Sequence, residues 1–455
     1  MRLIDDAREQ ALLHDGIVTM PDLELAIAEE QPSVASTDLQ RAASLVAEEL
    51  RTVTLGRAWD ILDPLLDAIA TACPDVQALE PSGGVRRTDP LVTSLIVIGQ
   101  AAAPSDAIET IAGLPFVTSV LYRTNRRVLV EAGGNEVDVR IATPEEHGTL
   151  RFTTTGPAAH VAAVRKRRGI RLSASETEVY THAGLAYLPV ELRQADDALD
   201  AAVNRRVPRL VQREDIRGDL HMHTTYSDGR DSLQQMVMTA HALGYEYIAI
   251  TDHSEHAGAS RTLTPAALAR QREEIEQLRD VAPGLTILHG LEVDILPDGT
   301  LDAPDALLEQ LDIVLASLHD AAGHTRQRLT ERCLGAIRHP LVSVITHPGN
   351  QLVGHRPSYD MDYDAIYAAA AETGTALEID GAPSHLDLDG DRARAAAAAG
   401  VTLVVDSDCH RARSLDRQMR MGVGTARRGW VEPRHVLNTR PLDEVLRFLA
   451  HKRHT

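Results

Sequence analysis

Two histidines one residue apart, His221 and His223, are followed by Asp228 in the stretch "DLHMHTTYSDG". In an extended segment residues i and i+2 face the same way, so the two imidazoles would be aimed at one point. The turn-forming sequence Ser227-Asp228-Gly229 would fold the carboxylate back toward them. Imidazole and carboxylate together are metal-ligand types, suited to Mn²⁺, Zn²⁺ or Fe²⁺ rather than to Ca²⁺. One such stretch fits a polar loop with two partly exposed histidines equally well, so the rest of the chain has to decide.

A metal site needs elements that bring such residues together. After residue 218, apolar runs alternate with helical stretches: "YEYIAITDH", "LTILHGLEVDI", "LDIVLASLH", "VSVITHP", "TALEIDG" and "VTLVVDSDCH". That alternation implies parallel β/α units, and six or seven of them imply a barrel rather than an open sheet. The runs end in His253, Glu292, His319, His347 and the pair Asp408 and His410. The C-terminal ends of barrel strands open onto one face, which carries the active site. With His221, His223 and Asp228 these make nine candidate ligands at corresponding positions. Singly, each would read as a strand-capping residue. Histidines off the strand ends (His256, His289, His324, His339, His355, His385 and His435) are expected to be structural or superficial, with substrate contact open to His324 and His355.

Composition sets bounds. A chain of 455 residues accommodates two or three domains. A formal net charge of −20 argues against bulk electrostatic binding to nucleic acid, though not against a local basic groove, and suits a site holding several cations. Three scattered cysteines make neither a disulfide scaffold nor a thiolate zinc site, and imply a reducing cytoplasm. The acidic start "MRLIDDAREQALLHDG" does not read as a signal peptide, and no apolar run approaches the length of a membrane span. Residues 1–75 read as helical, in "DLQRAASLVAEELRTV" and "AWDILDPLLDAIATA". From 76 to about 150, "LVTSLIVIG", "VTSVLYR", "RRVLVEAG" and "EVDVRIA" read as strands of a small antiparallel or mixed sheet, and helix with a basic patch at 165–169 follows. The polar stretch 204–218 reads as a junction, giving regions 1–75, 76–205 and 216–455. Oligomeric state is left open.

"DLHMHTTYSDG", "ITDHSEH", "GLEVDIL", "LASLH", "ITHPG" and "DSDCH" resemble the motifs of the PHP (polymerase and histidinol phosphatase) domain. The resemblance implies a distorted seven-stranded β/α, TIM-like barrel over 216–455 with up to three divalent ions. Carried over, it implies His221, His223, Glu292 and Asp408 around the first ion and Glu292, His319 and His347 around the second. Asp228, His253 and His410 would hold the third. Glu292, Asp408 and His319 are the residues expected to act in catalysis. A carboxylate bridging two ions is a device for activating water and clamping a phosphate. Cys409, between two ligands, is expected to point away yet to expose the site to oxidation. "LEIDGAPSHLDLDG" and "RMGVGTARRGWVEPRHVLNT" are similar, more narrowly, to the PHP domain fused to bacterial family X DNA polymerases.

That resemblance extends to the first half and implies an α+β, nucleotidyltransferase-like region. "GGVRRTDPLVTSLIVIG" occupies the place of the family's motif, with Arg86 and Arg87 retained, and Ser94 and Ile96 standing where two metal-binding aspartates belong. Asp138, in "EVDVRI", matches the third carboxylate. Phosphoryl transfer there needs two ions held by three carboxylates, so the polymerase site is expected to be vestigial. Arg86, Arg87 and 165–168 are left as contacts for DNA or nucleotide.

The expected activity is therefore a metal-dependent phosphoesterase, a 3′→5′ exonuclease acting on DNA in repair. A small-molecule phosphatase, such as one for histidinol phosphate, and a DNA-binding scaffold are the alternatives. Arg411, Arg427 and Arg428, following the last ligand pair, are expected to bind the substrate's phosphates.

Overall fold

The computed structural model describes residues 6–35, 52–255, 257, 261–319 and 323–453, and the chain divides into two compact units between Val207 and Pro208. The predicted helix over 38–53 lies almost wholly outside the described residues. In the first unit, the β-branched runs form β1 (Gln77–Pro81), β2 (Leu95–Gln100), β3 (Val117–Arg123), β4 (Arg127–Ala132) and β5 (Asn135–Ala142). They pair in the order β1-β2-β5-β4-β3, parallel between β2 and β5 and antiparallel elsewhere. Three helices matter below: α1 (Met20–Ala28), α2 (Leu55–Ala72) and α3 (Ala158–Arg168). On α2 the buried Leu55, Ala58, Leu62, Leu65 and Ile69 recur every three or four residues and form one apolar stripe. Four basic residues, Arg165 to Arg168, end α3, where they face the negative end of the helix dipole.

Among the described residues the second unit holds seven strands: β6 (Gly218–Asp219), β7 (Tyr247–Ile250), β8 (Thr286–Asp294), β9 (Ile313–Ser317), β10 (Val344–Ile345), β11 (Ala376–Asp380) and β12 (Leu403–Asp406). All pair in parallel in sequence order. Both faces of such a sheet are covered, which is why runs such as "YIAI" are buried throughout. Ser232, Thr264, Thr325, Asp362 and Asp389 each cap the following helix, the side chain accepting from the backbone N–H three residues on. Met222 bridges Cys409 in parallel, and His223 N donates to Cys409 O at 3.0 Å, joining the first strand's extension to the last. At the other end of the seam the buried Asn438 donates to Gly218 O and Val405 O at 2.8 and 2.6 Å. The second unit is thus a distorted seven-stranded β/α barrel.

Alternation along each strand decides what the interior contains. Inward rows run Leu288 to Glu292 and Asp294 on β8, Ala376 to Glu378 and Asp380 on β11, and Val404 to Asp406 on β12. Each row starts apolar and ends acidic. The apolar starts pack with Leu437, Val445 and Leu449, which close that end, while the outward Leu291, Ile379 and Val405 join the core under the helices.

Candidate metal centre

Local chain chemistry aims the donors. The buried carboxylate of Asp252 accepts Thr224 N at 2.8 Å, Ser227 N at 3.1 Å, Thr224 Oγ1 at 2.6 Å and Gln271 Nε2 at 2.5 Å. These bonds fold the loop after His223 back on itself. A Cβ on Gly229 would stand 2.6–2.7 Å from the backbones of Thr224 and His223, so glycine is required for Asp228 to return to the strand end. His347 and Asp408 sit in left-handed backbone, with φ of 29° and 47°. Such a conformation costs about 1–3 kcal/mol in a residue with a side chain, and here it turns both side chains inward.

The nine side chains meet. His221 Nε2 lies 3.0 Å from His223 Nε2 and 3.6 Å from Asp408 Oδ1, and His223 Nε2 lies 3.1 Å from the same oxygen. Glu292 turns Oε1 to His347 at 3.1 Å and His319 at 3.5 Å, and Oε2 to His221 and His223, both at 3.5 Å. Asp228 Oδ1 is 3.2 Å from His410 and 3.4 Å from His253. Ligand atoms around an ion with bonds of about 2.1 Å stand roughly 3.0–3.4 Å apart. His253 Nδ1 and Glu292 Oε2 are 2.9 Å apart without hydrogen-bond geometry, and both, like Asp228 Oδ1, are buried without a partner. Orphaned buried donors are costly unless something satisfies them. Divalent transition ions would, and the mixed imidazole and carboxylate set fits them. His223 stands within reach both of His221 with Asp408 and of Asp228 with His253 and His410, so the groups share walls. Side-chain exposure is 22% at His319, 19% at Asp228 and 35% at His410, and under a tenth at the others, so the centre opens on those three.

Burial alone would raise the Glu292 carboxyl, but His253, His319 and His221 facing it hold it well below the usual range. Asp408 is held down in the same way by His221 and His223. Burial, with His410 and His253 alongside, pushes His223 down to about 3, leaving a neutral imidazole with a lone pair to give. For Cys409, burial pushes the thiol well above its ordinary value, and its Sγ donates to Arg411 O at 2.8 Å. A buried protonated thiol is inert, which corrects the expectation of an oxidation target.

Sequence reasoning missed two carboxylates behind the histidines. His221 donates Nδ1–H to Glu378 Oε1 at 2.7 Å, and His319 donates Nδ1–H to Asp294 Oδ1 at 2.6 Å. Each bond fixes the tautomer that leaves Nε2 free. Glu378 also accepts His347 N at 2.7 Å. The signal was available in the period of two: Glu378 follows Ala376 and Asp294 follows Glu292 on inward rows. His385, expected to be structural or superficial, stacks on His347 with centroids 5.3 Å apart. It lies in the loop after β11, beyond the strand end that guided the reading.

The substrate arginines need correction. Arg427 and Arg428 end α4 (Leu415–Arg428), which runs from the donor-bearing end of β12 to the opposite end of the barrel. Arg427 is roughly 18 Å along that helix at 1.5 Å per residue. Its Nη1 donates to Val211 O, and Val211 N in turn donates to Val431 O. Arg411 is exposed beside His410. Arg230, whose N donates to His410 O, and Arg261, which donates to Gly229 O, are exposed on the same side and were not anticipated.

In the first unit, Ile96 is buried on β2, in register with Asp138 on β5, and Ser94 directly precedes β2. Asp138 is engaged by Arg127 at 2.9 Å and Arg140 at 2.6 Å, and both guanidinium groups also hold Asp22 of α1, at 2.7 and 2.8 Å. Arg86 pairs in bidentate fashion with the buried Glu176, at 3.0 and 2.6 Å, and Arg87 with Asp89 and Thr155 O. Both are committed to partners within the unit.

A PHP domain matches residues 219–379. The DNA polymerase/3′-5′ exonuclease PolX of Bacillus subtilis (strain 168) is 36% identical over 389 residues, covering 81% of this chain and 68% of that protein. A probable phosphatase of Thermoanaerobacter sp. (strain X514) is 32% identical over 211 residues, 44% of this chain and 81% of that protein. A solved histidinol phosphate phosphatase from Lactococcus lactis is 19% identical with a TM-score of 0.36, over 46% of this chain and 93% of that one.

Proposed function

Because the chain belongs to the PolX family of DNA polymerase/3′-5′ exonucleases and carries a PHP domain, we propose that it is a metal-dependent phosphoesterase that removes nucleotides from the 3′ end of DNA in repair, in a cytoplasmic setting. The observation that carries this reading is the convergence of nine donor side chains at one end of the barrel. Bound divalent ions, up to three, would supply Lewis-acid polarisation of the phosphate and a water of lowered pKa. Glu292, with one oxygen toward His319 and His347 and the other toward His221 and His223, would help to hold two of them. Asp408 would hold an ion together with His221 and His223. His319 presents Nε2 at the open side. Arg230, Arg261 and Arg411 would pair with phosphates that are not cut.

The first unit, on this reading, has no nucleotidyl transfer. Ile96 offers no ligand, and the one matching carboxylate, Asp138, is neutralised by two arginines. A DNA-binding role is left to the exposed Lys166, Arg167 and Arg168. A second reading, a small-molecule phosphatase, is favoured by the distance of Arg427 and Arg428 from the centre. The purified full-length chain with Mn²⁺ should shorten 3′-ended DNA one nucleotide at a time, more slowly as salt rises, because phosphate contacts release counterions. Histidinol phosphate turned over much faster than DNA, without salt dependence, would decide for the phosphatase.

A further inference from the structure

One set of donors beside the centre contains two residues, Asp380 and His385, that are not among the nine. Asp380 ends β11, His385 follows in the next loop, and Asp408 follows β12; one donor atom from each lies within 4.8 Å of the others. The arrangement is held by the chain rather than by chance rotamers. Gly381 packs so closely on α4 that a Cβ would stand 2.1 Å from Gln418 O, and Leu386 takes a φ of 46°, so the loop turns back over the strand end. Gln351 Nε2 donates to His385 O and Leu386 O at 2.8 and 2.7 Å, pinning it there.

The donors themselves point to a cation. Asp380 is fully buried. Its Oδ1 accepts the amide of Ala382 at 2.5 Å, and its Oδ2 has no hydrogen-bond partner. A buried carboxylate oxygen left bare is costly, and a cation offsets that cost directly. His385 donates Nδ1–H to Gln351 O at 2.9 Å, which leaves the Nε2 lone pair as its donor. Asp408 directs Oδ1 to His221, His223 and His410, and one of its carboxylate oxygens also lies within 4.8 Å of donor atoms of Asp380 and His385.

We propose that Asp380, His385 and Asp408 form a fourth divalent-cation position that shares Asp408 with the centre described above. The proposal rests on the reading of that centre as a metal site. Two carboxylates and one imidazole suit Mn²⁺, Fe²⁺ or Zn²⁺ and leave coordination positions for water or a substrate oxygen. With three protein ligands, one of them shared, this position should fill after the others.

The test is metal counting on the full-length chain, stripped with chelator and equilibrated by dialysis against graded Mn²⁺. The wild type should bind one equivalent more, at the weak end of the titration, than either Asp380→Asn or His385→Ala. Asp380→Asn keeps the shape of the side chain and His385→Ala lies in a loop; thermal melts identify a variant that has not folded, and the other then decides. His253→Ala, outside the proposed set, should lose a tight equivalent while keeping the weak one. If Asp380→Asn and His385→Ala match the wild type in stoichiometry and affinity while His253→Ala does not, the fourth position is refuted and the centre stands. If neither the wild type nor any variant binds Mn²⁺, both fail together.

Discussion

Glu378 Oε1 lies 2.7 Å from Nδ1 of His221, on the ring nitrogen opposite the one that faces His223 and Asp408. The carboxylate therefore sets which nitrogen of His221 carries the proton, although it is not one of the nine donors. Glu378→Gln should lower metal affinity or turnover by about 10–100-fold while the fold persists. Metal titration and turnover by the same sample check this; unchanged affinity together with unchanged turnover would remove Glu378 from the positioning role.

Removing a donor itself should do more. His347→Ala or Asp408→Asn is expected to cut phosphodiester hydrolysis by orders of magnitude, on a chromogenic diester as on DNA, with the circular dichroism spectrum intact. Chelation should abolish the wild-type activity and Mn²⁺ should restore it. Full activity in rigorously metal-free protein would end the metal reading.

Polymer recognition can be separated from chemistry by where charge is reversed. Arg411→Glu with Arg261→Glu should weaken DNA cleavage far more than cleavage of a small diester. Arg427→Glu should leave the ratio of the two rates unchanged, since that residue is at the other end of the barrel. A fall in the ratio for Arg427→Glu alone would restore the sequence-based expectation.

Primer extension with Mg²⁺ or Mn²⁺ should show no nucleotide added above a blank. The side chain of Ile96 offers no ligand, and Arg127 and Arg140 already pair with Asp138. Extension that disappears with Asp138→Asn would mean a single carboxylate supports a working site.

Acid should weaken the first unit through Glu176. Burial would raise its carboxyl, but Arg193 and Arg86 hold it at about 2 against an ordinary 4.5. Below pH 4.5 the unfolded chain takes up a proton that the folded chain refuses. The stabilisation is thus complete above pH 4.5 and is lost as pH falls toward 2, by about 3 kcal/mol in all. Urea unfolding followed at Trp59, in a Trp430→Phe background, should show the gap between wild type and Glu176→Gln narrowing from pH 7 to pH 3. An equal gap at both pH values would contradict the assignment.

The sequence by itself determined the barrel and which side chains stand at its strand ends. Strand period and strand ends are local properties: a run such as "LTILHGLEVDI" carries both its buried faces and the inward Glu292 near its C-terminal end in its own order of residues, and the C-terminal ends of parallel strands must share a face. The same local rule, applied one step further back, would have found Glu378 and Asp294. The tertiary structure decided what depends on the path between elements. His385 joins the centre because a loop turns at Gly381 and Leu386, which no strand period encodes. Arg427 and Arg428 leave it because α4 carries them the length of the barrel, although they follow the ligands closely in sequence. Asp138 is paired with Arg127 and Arg140, which also hold Asp22, and these groups meet only when α1 is laid against β4 and β5. Proximity along the chain fixes direction within an element; only packing fixes which ends meet.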